Sequence, residues 1–157
     1  MDRYVIAAAR SAPGIYAKLF DMIPSSRWDE RLDAERFSPR EVLCHMAEWD
    51  PIFCERISAA LNEDMALVQD YDEGQFAIDH DYAHQDIAHQ LQLFAERRER
   101  MVRMFEGLSD EELLRRFNQP PFGVMVLRDY LPKIIGHDTY HVEQLLGYVG
   151  EKVAAVW

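Results

Sequence analysis

The sequence predicts an all-α fold built as a four-helix bundle. Apolar residues recur at intervals of three and four along most of the 157 residues. Runs that alternate with period two are scarce, and no Asn-Gly or Asp-Gly hairpin signal occurs. Four long periodic segments are separated by one extended polar crossover, the arrangement of a bundle with a single long connection.

The first helix is expected over Asp2 to Met22, with Val5, Ala9, Ala12, Tyr16, Leu19 and Ile23 on one stripe. Pro13-Gly14 should kink or nearly divide it. A polar connection then runs from Pro24 to Phe37. The second helix has the clearest start: Ser38-Pro39-Arg40-Glu41 combines an N-cap serine, a proline at the first helical position and a capping-box glutamate. It should reach about Leu61, with Val42, His45, Trp49, Ile52 and Phe53 inward and a bend at Pro51. Asn62 to Ala83 is acidic and weakly periodic, long enough to run the length of a bundle and leave helices two and three parallel. The third helix is expected over His84 to Glu106, with Gly107 as its stop. A second capping box, Ser109-Asp-Glu-Glu112, opens a short turn, and Pro120-Pro121-Phe-Gly123 breaks the chain. The fourth helix should cover Met125 to Tyr148, disturbed early by Pro132.

At this length one domain over residues 1–157 buries enough surface to fold without a disulfide or a metal. Seventeen basic against 28 acidic side chains give a net charge of −11, which repels phosphate backbones and anionic membranes. The one basic cluster, Arg97, Arg98, Arg100 and Arg103, is interleaved with Glu96 and Glu99 and reads as a solvated, self-paired helix face. Cys44 and Cys54 form neither a CxxC motif nor a local disulfide, as expected in a reducing compartment. With no secretory core and no membrane span in the sequence, the expected location is the cytoplasm.

The chemistry concentrates in His137-Asp-Thr-Tyr-His141, inside an apolar helical run. Two imidazoles at i and i+4 project from one helix face, about 5.4 Å apart along the axis. That spacing lets both hold one metal ion, and a single ion satisfies two buried rings that would otherwise each need polar partners. His45 sits on the apolar side of the second helix and is the third candidate ligand. Three neutral imidazoles suit zinc, nickel or ferrous iron, with zinc the default. His80 and His84 share the spacing but lie among Asp79, Asp81, Gln85 and Asp86, so they read as solvated, as does His89. Metal-bound histidines usually donate their other ring nitrogen to a polar group. Glu48 and Gln144 stand one turn beyond His45 and His141; Glu48 is also the candidate for proton transfer. Asp138 falls on the inward stripe and either neutralises the site or pairs with Arg98. A di-iron bundle needs Glu-x-x-His motifs and a zinc protease His-Glu-x-x-His; neither occurs. The bland alternative is three core histidines hydrogen-bonded to Glu48, Asp138 or Gln144.

"FSPREVLCHMAEWDPIFCERI", followed by "LRDYLPKIIGHDTYHVEQLLGYV", resembles the DinB-like superfamily of four-helix bundles. The likeness lies in a serine-capped second helix carrying a histidine, then H-D-x-x-H-x-x-Q on the last helix; the long crossover and "LSDEELLRRF" extend it over nearly the whole chain. The resemblance implies an up-down-down-up bundle, commonly a homodimer, with a divalent metal on His45, His137 and His141 and Gln144 beside them. It further implies a metal-dependent enzyme acting on a small electrophilic substrate, by hydrolysis or by transfer of a low-molecular-weight thiol cosubstrate. Mycothiol-dependent maleylpyruvate isomerase and bacillithiol transferases are such relatives. A non-catalytic metal-binding or stress-related dimeric interaction module is the alternative.

Overall fold

The computed structural model describes residues 1–150; the last seven residues of the expected domain lie outside the described residues. Its helices are α1 (Arg3–Met22), α2 (Pro39–Asn62), the short α3 (Glu73–Asp79), α4 (Ile87–Glu106) and α5 (Leu127–Leu146). The four long ones form the bundle. Both α1 and α2 pack against α4 and α5, so the first two helices sit across the bundle from each other rather than side by side.

Local chemistry sets the helix starts. Ser38 and Glu41 form the reciprocal capping box on α2, and the side chains of Asp2, Asp72 and Asp86 accept backbone N–H bonds at the starts of α1, α3 and α4. Pro13, Pro51 and Pro132 each lie inside an uninterrupted helix. A proline removes one intrahelical hydrogen bond, but the buried stripes on either side hold these helices together, so α1 is not divided at Pro13-Gly14.

The all-α expectation needs one correction. A three-stranded sheet of β1 (Ala66–Leu67), β2 (Arg116–Gln119) and β3 (Gly123–Val126) closes one end of the bundle. β1 runs parallel to β2, and β2 pairs antiparallel with β3, Gln119 facing Gly123. Gly123 has φ 82°, a conformation that disfavours a side chain, so the Pro-Pro-Phe-Gly segment is a hairpin turn and not a plain break. The first residues assigned to the fourth helix are thus strand, and α5 begins at Leu127.

Two apolar clusters fill the core. One gathers Phe53, Ile57, Met101, Phe105, Phe117 and Leu131; the other gathers Tyr16, Phe20, Leu43, Met46, Phe94 and Leu145. Between them, at mid-bundle, lie the buried polar residues His45, Asp50, Arg98, Asp138 and His141. No described helix is long and apolar enough to cross a membrane.

Candidate metal centre

The capping box at Ser38 sets the phase of α2, and that phase turns His45 inward, where it is fully buried. The ring lies 4.3 Å from the Trp49 ring and 5.6 Å from Phe37, centroid to centroid. On α5, His137 and His141 project from one face with ring centroids 4.8 Å apart, and each lies 5.1 Å from His45. One ligand atom from each of the three residues falls within 4.8 Å of the others. The Nε2 atoms of His45 and His137 are 3.0 Å apart. Two nitrogens bound to one ion at about 2.0–2.1 Å have a separation of this size.

Hydrogen bonding fixes how His141 is presented. Gln144 donates Nε2–H to the Phe37 carbonyl at 2.7 Å, which points its Oε1 at Nδ1 of His141, 3.1 Å away. Nδ1–H of His141 therefore donates to Gln144, and Nε2 is left with a bare lone pair. Burial, reinforced by neighbouring positive charge, drives His137 and His141 down to about 4, and His45 well below its ordinary value. All three are neutral at pH 7, the form that ligates a metal. The Nδ1 atoms of His45 and His137 have no hydrogen-bond partner among the described residues, so the hydrogen bonds these residues make do not satisfy the cluster. The residues present fit a divalent ion.

Asp138, next to His137 in sequence, turns away to Arg98. The Arg98 guanidinium is 1% exposed and reaches Asp50 at 2.9 Å through two nitrogens, Asp138 through two, and the Ala9 carbonyl at 3.3 Å. All five of its N–H groups are used. The solvated face expected of the basic cluster is corrected here. Arg98 is a core residue, Arg97 binds the Ala47 carbonyl and Glu48, and only Arg103 keeps the expected partner, Glu99. Glu96 accepts from Gln92 instead of Arg100. Helical phase decides this, because Arg98 continues the stripe of Phe94 and Met101.

Glu48 is held by Arg97 at 2.8 Å and faces Nδ1 of His80 at 3.6 Å. It lines a groove with His80, Gln85 and His89, apart from the cavity that opens on His137. His80 stacks on Phe76, and His84 binds Asp81 at 2.6 Å; both are exposed, as is His89.

A cavity of about 110 Å³ adjoins His137, walled by Trp49, Phe53, Tyr130 and Ile134, with Arg56, Glu73 and Lys133 also lining it. The hairpin supplies Gln119 and Phe122 to its rim. Sequence reading missed these charged residues. Arg56 was findable, since it continues the Trp49, Ile52, Phe53 stripe, and Lys133 stands one turn before His137. Glu73 carries no local signal.

Among solved structures, YfiT from Bacillus subtilis superposes with a TM-score of 0.87 at 19% identity, covering 94% of this chain and 87% of that one. A DinB-like protein, YjoA, also from Bacillus subtilis, gives 0.60 at 16% identity, covering 93% and 90%. These similarities establish the four-helix-bundle fold. No curated protein matches the sequence. The profile of the DinB superfamily matches residues 8–145, and with that match over most of its length the chain belongs to the DinB superfamily.

Proposed function

We propose that this protein is a divalent-metal-dependent enzyme that activates a water or a low-molecular-weight thiol against a small electrophilic substrate. The observation that carries the reading is the convergence of three neutral imidazoles beside an open cavity. A three-histidine site leaves coordination positions for water or substrate. The cavity favours an enzyme over a sealed, non-catalytic metal module. YfiT, the similar structure, is described as a probable metal-dependent hydrolase, which supports the same direction.

His45, His137 and His141 would hold the ion, zinc or nickel, with iron also compatible with the donors. When bound, the ion supplies Lewis acidity that lowers the pKa of a water or thiol. Gln144 fixes the His141 tautomer, and Trp49 and Phe53 exclude bulk water on the cavity side. Glu73, an exposed residue on the first turn of α3, is the carboxylate lining that cavity, and partial desolvation with the nearby Asp70 charge raises its pKa. We assign it the proton-accepting role expected of Glu48, because Glu73 lines the cavity that opens on His137 whereas Glu48 lines a separate groove. The small-molecule substrate is part of this proposal.

The test is a panel of activated esters, amides and alkylating electrophiles, with and without added thiols, run on zinc- or nickel-loaded protein. Turnover should vanish on chelation and in His141→Ala. Turnover that survives both would refute the reading.

A further inference from the structure

Arg56 is 5% exposed, yet no carboxylate pairs with it among the described residues. Its guanidinium donates to the Gln69 carbonyl at 3.2 Å and to the Tyr130 hydroxyl at 3.4 Å, and Nε has no partner. Three of five N–H groups are thus unused. A buried cation without a directly paired carboxylate is costly and favours a further anion. Lys133 lines the same cavity, over the Phe122 ring at 4.6 Å, and among the described residues its only polar contact is the Met125 sulfur at 3.8 Å. It too lacks a carboxylate partner among the described residues. Two cations that repel each other line one small space in a chain whose net charge is −11. Among the described residues Glu73 is the one carboxylate lining it; the Arg56 charge offsets part of the rise in its pKa, but it makes no ion pair with either cation, so the charged groups sum to a positive site even before an ion joins the histidines.

We infer that the cavity beside His137 binds a carboxylate group of the reacting small molecules, with Arg56 and Lys133 as its anchors. The inference rests on the proposed metal-dependent function and specifies its substrate class. About 110 Å³ takes a ligand of several heavy atoms. A molecule whose sulfur or carbonyl faces the three histidines therefore places a carboxylate a few atoms away against the two cations. The carboxylate can belong to the thiol or to the electrophile.

Two matched pairs separate these sources. Cobalt-loaded protein is titrated with 3-mercaptopropionate and with 3-mercaptopropan-1-ol, followed by the thiolate-to-cobalt absorption band. Zinc-loaded protein is titrated calorimetrically with monomethyl and dimethyl succinate. A charge-assisted contact predicts a preference of about tenfold or more for the acid in at least one pair. Preference in the first pair alone places the carboxylate on the thiol; preference in the second alone places it on the electrophile. Lys133→Met, on an exposed residue, should collapse the preference to about threefold or less while leaving cobalt stoichiometry intact. Arg56→Met should do the same if it folds. Equal affinity within both pairs on metal-loaded protein would overturn the inference and leave the metal reading standing. If no metal binds, the metal reading fails by itself. Succinate titrated into metal-free protein against tryptophan fluorescence then decides: a response lost in Lys133→Met supports the anchors, and no response refutes them.

Discussion

His137 and Asp138 are consecutive residues on α5, yet they serve two buried polar clusters of opposite character. Asp138 joins Asp50 around Arg98, whose five N–H groups are all used. His137 joins His45 and His141, where two ring nitrogens have no partner among the described residues and two others stand 3.0 Å apart. The first cluster is complete within the protein and ties α1, α2, α4 and α5 together. The second keeps ring nitrogens without a partner among the described residues, as a metal-ligating set does. Arg56 repeats the contrast within one residue type: like Arg98 it is a buried guanidinium, but unlike Arg98 it forms no ion pair among the described residues, though Glu73 lines the same cavity.

This contrast predicts opposite phenotypes. His141→Ala should take bound metal from about one ion per chain to none, read by elemental analysis, while circular dichroism stays helical. Metal retained at full stoichiometry would break the contrast from the ligand side. Arg98→Met strands two buried carboxylates and should cost about 3–5 kcal/mol of stability, measured by urea unfolding of the metal-free protein. A loss below 1 kcal/mol would show that the ion cluster is not what holds mid-bundle together.

The pH response of the metal-free protein sharpens the comparison because the clusters carry opposite signs. His137 and His141 are depressed to about 4, so their contribution is full above the ordinary histidine value of 6.5 and is lost as pH falls toward 4. Burial pushes Asp50 up to about 6, so its contribution is full below 3.8 and is lost as pH rises through 6. Asp138 is raised by burial and His45 is lowered, so three imidazoles stand against two carboxylates, and net acid destabilisation of a few kcal/mol is expected between pH 6.5 and 4. His137→Gln/His141→Gln should flatten that slope in urea midpoints taken across the window; an unchanged slope would contradict the burial of neutral imidazoles. The smallest effect expected is that of Gln144→Leu, which frees the His141 tautomer and should weaken zinc about 10–100-fold in a chelator competition.

Much of this was legible in the sequence because helical phase is local information. The capping box at Ser38 and the i, i+4 spacing on α5 place His45, His137 and His141 on inward faces. The pairing of Asp138 with Arg98 was one of two alternatives that the inward position of Asp138 allowed, and the structure shows it. The sheet was not legible: β1 has two residues, and its partner β2 lies some fifty residues away, so no local pattern encodes the pairing. β3 was absorbed into the following helix because Val124, Met125 and Val126 suit either state. Reading Arg98 as solvated shows composition overriding phase, since neighbouring charges drew it into a surface cluster that its stripe position contradicts. Glu73 reaches the cavity through the crossover, whose path is set by tertiary packing alone.

The most direct test is anomalous diffraction from crystals grown with zinc or nickel and recorded at the metal edge. One peak should lie among Nε2 of His45, His137 and His141, at about 2.0–2.1 Å from each nitrogen. No peak there, or a peak only at His80 and His84, would contradict the account.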